Sequence, residues 1–163
     1  MNVNKLFAVL ALAGMAAPAL AADSQTDSGF TSSGWRVECA NAGKTLDCKA
    51  IEQVVDRANS RVLASMTVRV PAETKRAVML VQLPLGISVS DPVRITMAGT
   101  VKNYPIQTCT QTGCFVGSPL SGHTLDQMRN GQQIGIAFKN LDKQTVTVTM
   151  PLAGFGPVYD KIR

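Results

Sequence analysis

Histidine is nearly missing from this chain of 163 residues: it occurs once, at position 123. Catalysis through a nucleophile, a base and an orienting group therefore has a single imidazole to draw on, and the H-E-x-x-H metal arrangement cannot be built. Aromatic residues are also scarce, at 5%, and charged residues make up 17%. Stacking platforms for nucleic acid are thus few. Past the N-terminus no apolar run approaches the roughly 18 residues of a membrane-spanning helix. Glycine-rich phosphate loops, G-x-G-x-x-G spacing and EF-hand spacing are all absent, so no cofactor and no metal is expected. What remains is 45% hydrophobic content, enough to form a core and too much for a disordered chain.

Met1 to Lys5 carries one positive charge, Leu6 to Ala17 is apolar, and Pro18 leads into Ala19-Leu20-Ala21. This order of charge, short apolar run and small residues at alternate positions reads as an export signal at 1–21, cleaved after Ala21. An N-terminal amphipathic helix is the rival reading, but the run is apolar on all faces. No cysteine follows the site to carry a lipid anchor. Positions 22–33 are small and polar apart from Phe30 and read as a flexible arm, because they bury too little to offset their ordering entropy. The remaining chain, 34–163, has the size of one domain.

Export changes the meaning of the four cysteines at 39, 48, 109 and 114. An oxidising compartment and an even count favour disulfides, for which three connectivities exist. A two-residue Gly43-Lys44 turn sets Ala42 against Thr45 and, counting outward, Cys39 against Cys48 at a non-hydrogen-bonded pair. Cys109 and Cys114 flank Thr110-Gln111-Thr112-Gly113, a second turn. Local pairing of Cys39 with Cys48 and of Cys109 with Cys114 follows. A four-thiolate zinc site is the alternative, and neither spacing is the C-x2-C that zinc prefers.

Period-two alternation recurs along the domain, as in Thr67-Val68-Arg69-Val70, Arg94-Ile95-Thr96-Met97 and Thr145 to Met150. Turn signals fall between such runs at Asp56 to Ser60, Pro71-Ala72, Pro84 to Gly86, Asp91-Pro92, Gly99, Gly113 and Asn140 to Lys143. The pattern predicts an all-β, antiparallel, immunoglobulin-like sandwich of eight or nine strands. One short helix is expected over Thr124 to Gly131, with Thr124 as its cap. The expected core comprises Trp35, Val37, Ile51, Leu63, Met66, Val68, Met79, Val81, Leu83, Ile95, Phe115, Ile134, Ile136, Phe138, Val146, Val148 and Leu152. Trp35 is expected to pack on the first disulfide, with stacking on a ligand as the alternative.

His123 with Ser118 or Ser121 and Asp126 is the one formal catalytic set, and no G-x-S-x-G elbow supports it. Glu52, Asp56, Glu73 and Asp91 read as solvated charges in or beside turns. The +5 net charge is dispersed in small groups, Lys75-Arg76, Arg57 with Arg61, and Lys102 beside Tyr104, rather than in a nucleic-acid stripe. Lys102 and Tyr104 precede Pro105, which cannot donate to a ladder and so marks an edge. They are the expected partner-binding residues, with edge protection by Lys102 and half-burial of Tyr104 as the alternative.

Several of these features occur together in one known family. Gly34-Trp35 with Cys39 four residues later, Cys48, Leu83-Pro84-Leu85-Gly86, Cys109 with Gly113-Cys114, Leu125 to Gly131 and Leu152-Ala153-Gly154-Phe155 resemble the invasion-associated locus B (IalB) family of exported alphaproteobacterial proteins. The resemblance implies an immunoglobulin-like sandwich and an envelope location, periplasmic or at the cell surface, and it offers no catalytic residue to carry over. The expected function is a non-enzymatic binding module for an envelope or host protein or an anionic surface component, without nucleic acid. A small hydrolase using His123, and a periplasmic chaperone or inhibitor acting through a sheet edge, are the alternatives.

Overall fold

The computed structural model describes residues 29–43 and 45–163. The expected export signal and the arm as far as position 28 lie outside the described residues. Alternating apolar and polar residues form the strands β1 (Phe30–Ser32), β2 (Arg36–Ala42), β3 (Thr45–Asp56), β4 (Val62–Arg69), β5 (Val78–Leu83) and β6 (Val93–Met97). They continue in β7 (Thr100–Tyr104), β8 (Thr108–Thr110), β9 (Gly113–Pro119), β10 (Gln133–Lys139) and β11 (Thr145–Pro151). Two helices, α1 (Gly122–Asn130) and α2 (Phe155–Asp160), complete the described elements.

All strand pairs are antiparallel and fall into two sheets. The seven-stranded sheet runs β1-β3-β4-β5-β9-β8, with β2 also on β3, and the four-stranded sheet runs β11-β10-β6-β7. One continuous core lies between them. Met66, Val68, Met79, Val81 and Val116 come from the first sheet and Ile95, Ile134, Ile136, Val148 and Met150 from the second. The expected antiparallel two-sheet sandwich is therefore what forms. Two strands of three residues each raise the strand number above the expected one.

Turn chemistry sets the registers. Ala98 and Gly99 both take positive φ, 46° and 77°, and make the two-residue link from β6 to β7 that suits a twisted hairpin. Ala42 pairs with Thr45 and Cys39 with Cys48 across β2 and β3, and Cys109 pairs with Cys114 across β8 and β9. Both pairs are disulfide-bonded, with Cα atoms 4.0 Å apart. Gly113 is obligatory: its φ is +143°, and a Cβ there would collide with the Leu83 carbonyl oxygen.

One feature of the edge departs from simple alternation. β1 and β2 both lie along the same edge of β3, but Ser33, Gly34 and Trp35 stand opposite only Glu52 and Gln53. The extra residue is a bulge, opened by Gly34 at φ +78°. Trp35 turns into the core there, 8% exposed. Its ring meets Phe155 edge-on at 4.8 Å, and its Nε1 donates to the Pro151 carbonyl at 2.9 Å. Phe155 stacks on Tyr159 at 5.5 Å, and Arg129 of α1 lies over the Tyr159 ring and pairs with Asp160. Trp35 is thus core, as expected, and its ring contact is with Phe155 of α2.

Glu52 corrects the sequence reading. It sits mid-strand, fully buried, on the inward face between Ala50 and Val54. Its Oε1 accepts from the Ser32 hydroxyl and, at 3.2 Å, from the Gly34 amide, while Oε2 is buried without a hydrogen-bond partner among the described residues. Parity sends Ile51 to the opposite, outer face, where it is still mostly covered. Val37, Phe115 and Val146 are half-buried, and Val116 takes the inward place next to Phe115. Phe30–Ser32, placed in the arm by composition, form β1 because Phe30 packs against the core and Ser32 reaches Glu52.

The helices also differ from expectation. Ser121, not Thr124, caps α1: its hydroxyl accepts from the Thr124 amide at 3.1 Å and bonds the Thr124 hydroxyl at 2.8 Å. Thr124 is buried inside the helix. Gly131 does end it, and a side chain there would meet the Gln127 carbonyl. The second helix, α2, has no strong periodic signal over six residues and was not expected.

Two outcomes follow for the purified protein. Peptide mapping without reduction yields only Cys39–Cys48 and Cys109–Cys114 links, and replacing both cysteines of either pair with Ala lowers stability by about 2–3 kcal/mol; a link between the two pairs contradicts the registers. Glu52→Ala removes the acceptor of the Ser32 hydroxyl and one of the two acceptors of the Gly34 amide, and lowers stability by about 1–3 kcal/mol, read from the urea midpoint. Glu52→Gln, which keeps an acceptor oxygen, loses less.

Candidate functional site

Lys102 and Tyr104 lie on β7, the edge strand of the four-stranded sheet, opposite Ile95 and Val93. Being two apart they share a face. That face turns toward α1, where Thr124 and Gln127 line the same shallow hollow of about 20 Å3. Tyr104 is half-buried and packs against the core, and Lys102 is exposed. Tyr104 stands at the end of β7, whereas Gln111 and Thr112 form the tip of the disulfide-closed hairpin.

His123 is not in a loop but in the first turn of α1, exposed, with no hydrogen bond or ion pair among the described residues. Ser121 is engaged in capping that helix, and the Ser118 hydroxyl donates to the Pro119 carbonyl at 3.1 Å. The formal set of His123, a serine and Asp126 is therefore not assembled by hydrogen bonds.

Asp91, read as a solvated turn charge, instead ties two loops together. Its Oδ2 accepts from Lys143 Nζ at 2.7 Å and from the Ser88 hydroxyl at 2.6 Å, and Lys139 Nζ lies 3.3 Å from Oδ1. Lys143 also donates to Ser88 and Ser90. The Lys143 and Ser88 hydrogen bonds hold the Asp91 carboxyl well below the usual carboxylate range, against partial desolvation and with help from Lys139.

A much wider concavity lies elsewhere among the described residues, on the outer face of the seven-stranded sheet. It is a groove of about 800 Å3 crossing β3, β4, β5 and β9. Period two builds it: β3 contributes Lys49, Ile51 and Gln53, β4 contributes Ser65, Thr67 and Arg69, and β5 contributes Val78, Leu80 and Gln82. Ile51 and Ser65 form the floor, sunk below longer neighbours. Leu80 is 42% exposed beside them.

Both flanks are fixed. On the β9 side, Gln107 folds over the strand and donates from Nε2 to the Gly117 carbonyl at 3.1 Å, and a Cβ at position 117 would press on Gln107 Oε1 at 2.8 Å. Gln82 Nε2 donates to the Thr112 carbonyl at 2.7 Å. On the β2 side, Glu38 accepts from Arg36 and faces Lys49 at 3.4 Å, and Arg36 also reaches Gln53 at 3.1 Å. Desolvation works against ionised Glu38, but the hydrogen bonds from Arg36 and Lys49 outweigh it and lower its pKa.

The groove thus offers amides, hydroxyls and a small apolar floor on rigid strands, with charge at one flank. Among the described residues its lining includes no histidine and no cysteine. The alternation at 49–53, 65–69 and 78–82 is visible in the sequence, but no sequence signal tells which outer face stays uncovered.

The Asp91 cluster has a pH signature. Its lowered folded-state pKa contributes stability above the unfolded value of about 3.9, and that contribution is lost as pH falls through the folded value. Asp91→Asn therefore unfolds at lower temperature than the parent at neutral pH, and the gap narrows in strong acid. A gap independent of pH contradicts the ion-pair assignment.

The same architecture occurs in a solved protein. The crystal structure of invasion associated protein B from Bartonella henselae aligns with a TM-score of 0.69 at 24% sequence identity, covering 78% of this chain and 89% of that one. The two share a fold. No curated protein sequence matches the chain. The model of the family described as invasion associated locus B (IalB) protein matches residues 35–163, the span from the buried tryptophan to the last residue. On that match, over most of its length, the chain belongs to the IalB family.

Proposed function

We propose that this protein is an exported, non-enzymatic binding module of the bacterial envelope, and that it holds its partner in the groove on the outer face of the seven-stranded sheet. The observation that carries this reading is the groove itself. It is a wide concavity, covered by none of the described elements, whose hydrogen-bonding side chains stand on the strands of a disulfide-clamped sheet. Preformed surfaces of this kind bind without a large ordering cost.

Export is supported by the signal-like order of charge, apolar run and small residues at 1–21 and by the two disulfides, which persist in oxidising compartments. The periplasm is the primary location, with the cell surface reached from there. A host-cell protein enters as a class of partner through the name of the Bartonella henselae neighbour. An envelope protein fits the same groove.

A photo-cross-linking residue placed at Leu80, within the groove, and another at Leu141, exposed outside it, test the reading in living cells. Adducts form from position 80 and not from 141. Leu80→Asp weakens binding of the captured partner by more than about tenfold while the thermal midpoint stays within a few degrees. Adducts confined to position 141, or a Leu80→Asp protein that binds like the parent, overturn the groove. Mass measurement of the same periplasmic protein gives a chain beginning at Ala22; an intact N-terminus contradicts export by a cleaved signal.

A further inference from the structure

Open sheet edges invite pairing, and proteins guard them with charge, bulges, short strands or proline. Three of the four sides of this sandwich are guarded. At one end of the seven-stranded sheet β8 is three residues long and closed by a disulfide; at the other, β1 and β2 are interrupted by the bulge, and β2 carries Arg36 and Glu38. In the four-stranded sheet β7 carries Lys102.

The fourth edge, β11, has no charge, no bulge and no short length, and its one proline, Pro151, stands at its last position. Its sequence, Thr-Val-Thr-Val-Thr-Met-Pro, holds no charge, and seven consecutive residues keep register with β10 without a bulge. The Leu152 amide donates to the Gln132 carbonyl and the Asn140 amide to the Gln144 carbonyl. These two bonds set the phase: even-numbered residues turn their backbone groups toward β10, and Thr145, Thr147 and Thr149 turn theirs away. Those three are exposed, and their outward amides and carbonyls have no partner among the described residues. Pro151 ends the row, because it lacks an amide and Trp35 occupies its carbonyl.

We propose that β11 is a strand-pairing site for a second copy of this chain, joined antiparallel about a two-fold axis at Thr147 into one eight-stranded sheet. The occupant follows from self-complementarity. That axis sets Thr147 against Thr147 and Thr145 against Thr149 of the other copy, each an exchange of two N–H···O bonds, about six in all. Threonine hydroxyls then face one another on the outer side, Val146 faces Val148 on the inner side, and no like charges meet. With the other edges guarded, the contact is isologous and closes at two copies instead of growing into fibres. It lies on the opposite sheet from the binding groove and does not depend on it.

A contact of one strand per copy is smaller than a standard stable interface, so the dimer dissociates in the micromolar range or weaker. Sedimentation velocity of the mature chain from about 1 µM to about 1 mM shows mass rising toward the dimer. Over the same range the amides of Thr145, Thr147 and Thr149 become protected from hydrogen exchange. Thr147→Lys sets like charges opposite each other and weakens association by more than about tenfold, whereas Val101→Lys on the β7 edge leaves it unchanged; circular dichroism confirms that both fold. A monomer throughout the range overturns the proposal, as does a dimer that Thr147→Lys leaves intact or one in which the three amides exchange freely. Protection of those amides only by an added peptide assigns the edge to a different partner and also overturns it.

Discussion

The sandwich depends on how one edge of β3 is closed. An unbroken strand continued from β1, where Ser32 stands opposite Val54, would set Trp35 opposite Ile51 on the outer face and leave the end of the core open. The bulge at Ser33 to Trp35 instead turns the indole inward, onto Phe155 and the Pro151 carbonyl. This one contact joins the seven-stranded sheet, the end of the four-stranded sheet and α2. Glu52 holds the bulge in shape by accepting from both Ser32 and Gly34. A buried carboxyl is a costly way to satisfy an amide. Its place beneath the bulge explains why it stands in an otherwise apolar inner face.

Closing the sandwich this way has a consequence for the outer surface. α2 packs on Trp35, α1 packs on α2 and the core margin, and no described helix crosses the outer face of the large sheet. The alternation that buries Ala50, Glu52 and Val54 must then present Lys49, Ile51 and Gln53 outward, and β4 and β5 repeat the pattern. The groove is the complement of the core. Its flanks are stiffened by bonds that need particular residues, Gln107 over Gly117 and Gln82 to Thr112 on one side and the Arg36, Glu38, Lys49 group on the other.

Much of this was legible in the sequence where local chemistry decides the structure. Gly43 fixed a register, and the register put Cys39 opposite Cys48; the same counting served Cys109 and Cys114. Most of the core followed from period two. What could not be read were features set by distant parts of the chain. Glu52 looks like a surface charge until the bulge supplies its donors. Ile51 looks like core until parity is fixed by β4. Residues Phe155–Asp160 carry too few turns for a periodic signal, and their helix exists because Trp35 covers it. Lys102 and Tyr104 were placed on an edge strand by Pro105, but nothing local showed that their shared face turns toward α1. For the groove the residues were legible and their exposure was not.

Spectroscopic mapping tests the central claim most directly. Backbone amide shifts of the labelled mature domain, recorded as detergent-solubilised native envelope is titrated in, report which surface meets a partner. The account predicts changes concentrated at Lys49, Ile51, Gln53, Thr67, Leu80 and Gln82, with the Trp35 core undisturbed. Changes gathered around His123, or around Lys102 and Tyr104, with those groove residues silent, would contradict it.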